Sequence, residues 1–419
     1  MIHDRWRDDY RAFIERLPSY VANARLTICG LATCVDAYVR LDGAQALLQA
    51  DAGTPQAALA KELFRRAAAG IGGEFRMQWP GGGDWIENNL QISSWGLGGT
   101  GAQAAQTLAV LGAPALMSLE KRDERQLSVI DPDVRLAGDA GLVRCGDLPV
   151  VKGSKPAHYI FEFTEGIRMG PVIPRRSTRT IVRFANDPLD KDPDFVRESI
   201  GAAASAGAAI VCGFNEVSAE GLEKALAETE ILIKAWKDRG LRIVHLELGD
   251  YTSPQARDIV LKSLGRKITS LGMSYSELCG LASGSESPIE EAHELSEGFG
   301  LYRLCVHADT WALAITRGEA EQELEALMCG CLLASARAEK GRPCLPTQIP
   351  EAAVFRDLPA DILGKRWAQC AVCCASPYLE HPAATIGLGD TFLAGTLLIL
   401  GQTERVLQPS RSANGIKEI

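Results

Sequence analysis

Short apolar runs alternate with longer stretches of helical period along most of this chain. Residues 26–29 (Leu-Thr-Ile-Cys) read as a strand ending at Gly30, and residues 208–212 as another ending at Gly213. A third run, 241–246, follows a helix over 220–238, and a fourth, 301–305, leads into Val306. Strands that alternate with helices build a parallel sheet covered on both faces, so the pattern predicts an α/β fold. The first 24 residues space Trp6, Tyr10, Phe13, Ile14 and Leu17 at near-helical intervals and read as an amphipathic helix. Residues 392–400, interrupted by Gly395 and Thr396, read as a buried helix rather than a membrane span.

Two segments break the rhythm. Residues 41–90 hold an alanine-rich helical stretch and then the turn-rich Pro80-Gly-Gly-Gly-Asp84. Residues 146–190 hold the alternating strand His158-Tyr-Ile-Phe-Glu-Phe163 and a loop rich in proline and arginine. Such alternation suits a half-exposed sheet. The expected organisation is a large α/β domain from 1–40, 91–145 and 191–419, with a smaller α+β lid from 41–90 and 146–190. The polar tail beyond Gln408 is expected to fray.

Composition narrows the function. The chain has 419 residues, 46% hydrophobic and 23% charged, with a net charge of −9. An acidic surface argues against a nucleic-acid groove. No apolar run reaches the ~18 residues of a membrane span, and no secretory signal opens the chain. These features predict a soluble cytoplasmic protein, a monomer or small homo-oligomer, without a membrane or nucleic-acid partner. The 12 cysteines read as reduced thiols. A zinc site drawn from Cys329, Cys331, Cys344, Cys370, Cys373 and Cys374 is the alternative to buried apolar thiols.

The sharpest chemical signal is Thr385-Ile-Gly-Leu-Gly-Asp-Thr391, where Gly387 and Gly389 precede an apolar helix. A glycine turn opening a helix aims several N–H groups and the positive end of the helix dipole at one point, which suits a phosphoryl group in transfer. Asp390 there either takes a proton from an attacking hydroxyl or merely caps the helix. His245-Leu-Glu247 stands at a strand end, where ligands of open α/β sheets gather, and its carboxylate suits magnesium. Glu277 opens a further helix and offers a second carboxylate. The run Gly96-Leu-Gly-Gly-Thr-Gly-Ala-Gln103 opens a helix to Leu111; no clear strand precedes it and no acidic residue follows suitably, so a sugar-hydroxyl site fits better than a dinucleotide fingerprint. Asp36, just beyond the first strand, is either a ligand for two hydroxyls or a turn aspartate.

Together these motifs resemble the ADP-dependent phosphofructokinase and glucokinase family, within the ribokinase-like superfamily. Gly387-Leu-Gly-Asp390 looks like its catalytic G-x-G-D, His245-Leu-Glu247 its H-x-E metal motif, and His158–Phe163 its lid strand. Gly98-Gly99-Thr100 looks like its sugar-binding turn, and Arg303-Leu-Cys-Val-His307 its nucleotide strand. The resemblance implies a three-layer α/β/α domain with a lid, and transfer of the β-phosphoryl of ADP to a hexose or hexose phosphate. It implies that Asp390 is the base and that the amides of Gly387 to Asp390 hold the transferring group. It implies that Glu247 and Glu277 organise Mg2+, that Asp36, Gly99, Thr100 and His158 hold the sugar, and that Ser274, His307, Ala308 and Gly389 contact the nucleotide. The chain departs from the family at Ser274-Tyr275, where Asn-Glu is usual, at Ala308, where Thr is usual, and at Thr100, where Gln is frequent.

Arg168, Arg175, Arg176, Arg179 and Arg183 crowd one region of an acidic protein, which suits an acceptor already carrying phosphate, such as fructose 6-phosphate, with Arg179 as the candidate ligand. Asp84 falls where family glucokinases present an acidic residue to glucose. Glucokinase or dual activity therefore stays open, as do an ATP-dependent ribokinase-like kinase and a non-catalytic sensor.

Overall fold

The computed structural model describes residues 2–39, 45–139, 141–282, 287–359 and 370–402. The tail beyond Gln408 and the side chain of Cys370 lie outside the described residues. A ten-stranded sheet runs in the order Cys370–Ala375, Trp311–Thr316, Arg303–His307, Ser270–Ser274, Val244–Glu247, Ala208–Val211, Thr27–Cys29, Ala115–Met117, Arg135–Gly138, Gly141–Arg144. From Arg303–His307 across to Arg135–Gly138 every pairing is parallel, and antiparallel pairings finish both edges.

Period-two alternation decides which side chain meets which helix layer. Cys29, Ile210 and Met117 pack with the helices Ile2–Ala22, Thr100–Leu111, Ala320–Lys340 and Leu388–Leu400. Their neighbours Ile28, Val211 and Leu116 pack on the other face with Pro193–Ala202, Ala219–Asp238, Pro254–Leu264 and Pro288–Phe299. The result is the three-layer α/β/α arrangement. Trp6, Tyr10, Phe13 and Leu17 of the first helix are all buried, as their spacing predicts.

A second, five-stranded sheet runs Gly73–Arg76, Thr178–Arg183, His158–Phe163, Cys34–Val39, Ile92–Gly98. The helices Pro55–Ala69 and Gly82–Asn89 cover one face, over a core that includes Leu59, Leu63, Ile86 and Phe161. Two of these strands, Cys34–Val39 and Ile92–Gly98, come from segments that the sequence reading assigned to the large α/β domain. Ile92–Gly98 also precedes the helix Thr100–Leu111 directly, where the sequence shows no clear strand. Its Ser-Ser-Trp-Gly core is poor in β-branched residues, and its pairing with Cys34–Val39 is what makes it a strand. Pro80 to Asp84 is not all turn either: Asp84 lies in the first turn of Gly82–Asn89.

The small sheet stands at the carboxyl end of the parallel strands. Cys29 leads to Cys34 through a short link, and Gly98 leads back into the helix at Thr100. Polar contacts join the small-sheet region to the rest of the molecule: Arg183, paired within its own sheet to Glu74 at 3.2 Å, also reaches Glu216, Arg176 pairs with Asp309 at 2.9 Å, and the Thr385 amide donates to Glu162 at 3.4 Å.

Candidate active site

The helix Leu388–Leu400 begins from Gly387, whose φ of 70° is open to glycine without strain. Gly387 is the N-cap residue, so Asp390 falls at the third helical position and its carboxylate is not the cap. The Thr100 side chain, at the start of the neighbouring helix, hydrogen-bonds Asp390. Burial raises the pKa of Asp390; Arg337 and Thr100 oppose that rise, Glu247 adds to it, and Arg179 opposes it. The Thr100 hydroxyl and the two guanidiniums thus favour the anionic form against the effect of burial, which prevails in the net direction.

Three parallel strands end beside this turn. His245 is buried; its Nε2 meets Glu247 Oε2 at 2.9 Å and its Nδ1 meets the Ser270 hydroxyl at 2.8 Å. Burial lowers the pKa of His245, so the neutral ring donates from Nε2 to the carboxylate and accepts from Ser270 at Nδ1. Glu247 also faces His307 Nε2 at 3.5 Å. Burial pushes the Glu247 pKa up, but hydrogen bonds from both histidines outweigh it and hold the carboxyl down at about 2. For His307, burial disfavours the charged ring, but Glu247 outweighs this and raises its pKa. The His307 ring lies against Gly389 and, at 5.1 Å between centroids, beside Phe392.

Glu277 and Ser274 cap their helix reciprocally. The Ser274 amide donates to Glu277 Oε2 at 2.7 Å, and the Glu277 amide donates to the Ser274 hydroxyl at 3.3 Å. Burial and the field of Glu247 push the Glu277 carboxyl up to about 7. Two half-buried carboxylates, the charge of one opposing ionisation of the other, are a donor set that a hard divalent cation suits. Ala308 follows His307, and its amide donates to the Trp311 carbonyl at 2.8 Å.

Asp36 and His158 are paired residues on adjacent strands of the small sheet, both buried. Burial raises the Asp36 pKa to about 6, with His158 opposing the rise. His158 Nδ1 lies 3.4 Å from Cys34 Sγ, and its Nε2 lies 3.5 Å from Asp187, which Lys155 also pairs at 3.1 Å. Among the described residues Cys34, His158 and Asp187 are the group of three that could hold a metal ion. The thiols considered for zinc form no such group there; Cys329, Cys331 and Cys374 are buried, with Cys331 and Cys374 Sγ atoms 3.8 Å apart.

The arginine cluster divides. Arg168 and Arg175 are exposed, Arg176 is taken by Asp309, and Arg183 is buried between Glu74 and Glu216. Arg179 acts on Asp390, and its Nε is buried without a partner. Asp84 is exposed, with Tyr159 as the group whose titration it affects. No contact brings Asp84 to Asp390 among the described residues.

The conserved region of the ADP-specific phosphofructokinases and glucokinases matches residues 27–399. The chain belongs to this family. It is an enzyme of the ADP-dependent phosphofructokinase/glucokinase type. An ADP-dependent kinase solved in complex with fructose 6-phosphate and ADPβS superposes with a TM-score of 0.78 at 17% identity, over 94% of this chain and 98% of that one. An ADP-dependent phosphofructokinase from Pyrococcus horikoshii OT3, described as hypothetical, gives a TM-score of 0.72 at 18% identity, over 90% and 98%. The last common ancestor of ADP-dependent phosphofructokinases from Methanosarcinales gives 0.72 at 16%, over 97% and 100%. At such identities these structures speak for the fold alone. No curated protein matches the chain.

For this family member, the sequence motifs miss one prominent neighbour of Asp390. Arg337 lies on the helix Ala320–Lys340, far from every motif, and only the tertiary fold delivers it to the glycine turn. A basic residue in the last turn of a helix is ordinarily a solvated dipole partner, so its position carries no distinguishing signal.

Proposed function

We propose that this protein transfers the β-phosphoryl group of ADP to the hydroxyl of a hexose phosphate, fructose 6-phosphate foremost, releasing AMP. The observation that carries the reading is Asp390, uncapped at the glycine-turn helix and bonded to the Thr100 side chain, with Arg179 of the small sheet acting on it. The superposition with a kinase holding fructose 6-phosphate and ADPβS supports the acceptor class.

In this reading Asp390 takes the proton of the sugar hydroxyl as its oxygen bonds to the β-phosphorus. The bond from that phosphorus to the bridging oxygen breaks, and the electron pair leaves with AMP. Amides of the Gly387 turn face the transferring group. Asp36, Gly99, Thr100 and His158 orient the sugar, and Arg179, whose Nε is unpartnered, offers its guanidinium to phosphate oxygens. Ser274, His307, Ala308 and Gly389 border the nucleotide. Glu247 and Glu277 would hold magnesium, which supplies positive charge against the phosphates. The small sheet acts as a lid that excludes water, so that the donor is not hydrolysed. The role is glycolytic and the compartment the cytoplasm; among the described residues no helix is long and apolar enough to cross a membrane.

A donor-by-acceptor matrix tests the reading: ADP and ATP against fructose 6-phosphate, glucose and ribose, with AMP or ADP release measured. AMP release with fructose 6-phosphate is expected. AMP with glucose alone would replace the acceptor, turnover only with ATP would replace the donor, and no turnover in any pairing would reject the reading.

Asp36 gives the site a pH dependence. A carboxylate accepts two sugar hydroxyls and a carboxylic acid only partly so. KM for the sugar is expected to rise as pH falls through about 6, the value to which burial lifts this carboxyl. Asp36→Asn is expected to bind weakly with that dependence removed. The stability effect has the opposite sense: the native group keeps its proton to about 6 and the unfolded one only to 3.8. Its contribution is therefore full below 3.8 and is lost as pH rises through 6.

A further inference from the structure

The helices Ala320–Lys340 and Leu388–Leu400 cross at a glycine pair. A Cβ on Gly395 would lie 2.8 Å from the Cα of Gly330, so a larger residue at either point would push the helices apart. Two turns along the first helix from Gly330, Arg337 meets the beginning of the second. Its Nη1 donates to Gln103 Oε1 at 2.9 Å and to the Thr391 hydroxyl at 3.0 Å. Its guanidinium stands directly against Gly387, where an added Cβ would come within 2.6 Å of Nη1.

Arg337 is only 4% exposed, its Nε has no hydrogen-bond partner, and among the described residues no carboxylate pairs with it. A buried guanidinium without a counter-ion is costly, and such charges are ordinarily paired. The acids whose field it feels are Asp390, Asp36 and Glu162, all on the side of the glycine turn. The charge is thus aimed at the place where Asp390 and an incoming phosphate meet, while its hydrogen bonds tie together the helices that carry Thr100 and Asp390.

We propose that Arg337 is a positioning residue for phosphoryl transfer: from behind the Gly387 turn it fixes the start of the Asp390 helix and supplies the positive charge that favours the Asp390 carboxylate. This rests on the reading of Asp390 as the base. The side chains acting on or influenced by Asp390 are Arg337 from its partner helix, Thr100, Arg179 and Asp36 from the two ends of the lid, Tyr38, Glu247 and Cys212.

Arg337→Met removes the charge at similar length, Arg337→Gln removes it while keeping a donor for Gln103 and Thr391, and Arg337→Lys restores it. The full-length variants are compared by the Asp390 carboxyl titration, followed by 13C NMR with Asp390→Asn as assignment, by kcat and KM, and by thermal melting. In the Met and Gln variants the titration midpoint is expected to move up by roughly one unit, and kcat to fall roughly 10²-fold, the scale of losing one preorganised electrostatic group, with sugar KM within a few-fold. The Lys variant is expected to recover part of both. Should the Met variant not fold, the Gln variant carries the same comparison. An unmoved midpoint in a folded, charge-free variant overturns the proposal, as does a lost rate that follows melting temperature and is not recovered by Lys. The titration needs no substrate, so it decides the role of Arg337 even if the wild type proves inactive in the donor–acceptor matrix.

Discussion

Asp390→Asn is expected to lower kcat by about 10³-fold while leaving sugar affinity within a few-fold, in line with the loss of a positioned general base. Asparagine matches aspartate in shape and still accepts a hydrogen bond from Thr100, but it cannot take the hydroxyl proton. The same substitution removes a carboxylate whose ionisation burial disfavours. The variant is therefore expected to melt at the same temperature as the wild type or above it at neutral pH, where the buried charge costs stability. Steady-state kinetics and calorimetry read the two effects separately. Turnover within ten-fold of wild type would remove Asp390 from the role of base; a lower melting temperature would show that it serves the fold instead.

The largest expected loss of stability lies elsewhere, at the other end of the strand that carries His307. Arg303 and Glu323 are each 2% exposed and joined by a 2.7 Å bond from Nε, and neither terminal nitrogen of Arg303 has a hydrogen-bond partner. Glu323→Ala is expected to cost about 3–5 kcal/mol, because it leaves the guanidinium buried and uncompensated. Urea unfolding of the two proteins measures this difference. A loss under about 1 kcal/mol would mean that water reaches Arg303 once its partner is removed.

What the chain discloses on its own follows from where its information is local. The strand Val244–Glu247 and the helix Ala219–Asp238 are legible because apolar period and length agree there. The position of Asp390 behind two glycines is legible because the turn and the helix are adjacent in sequence. Cys370–Ala375 is different: Cys-Ala-Val-Cys-Cys-Ala reads as a metal-binding candidate, and only its antiparallel pairing with Trp311–Thr316 makes it an edge strand. Ile92–Gly98 is likewise made by its partner. The arginine cluster shows the same limit at the level of charge. Composition reveals five basic residues together, but only the fold assigns Arg183 to Glu74 and Glu216 and leaves Arg179 unpartnered at Nε. Arg337 is the extreme case, since Gly387, the motif residue its guanidinium stands against, lies fifty positions further along the chain and at the start of another helix.

The path of the backbone between the sheets has a further effect. The chain enters the small sheet at Cys34, leaves it at Gly98, enters again at His158 and leaves again at Arg183. The pairing of Cys34–Val39 with His158–Phe163 joins the two excursions. A protease that nicks one exposed loop therefore releases nothing: both halves stay held by strand pairing and by the buried cores. Four cuts are needed to detach the small sheet, and then as two fragments that separately lack a complete set of strands. This part of the molecule cannot be shed, spliced out or expressed as one continuous piece.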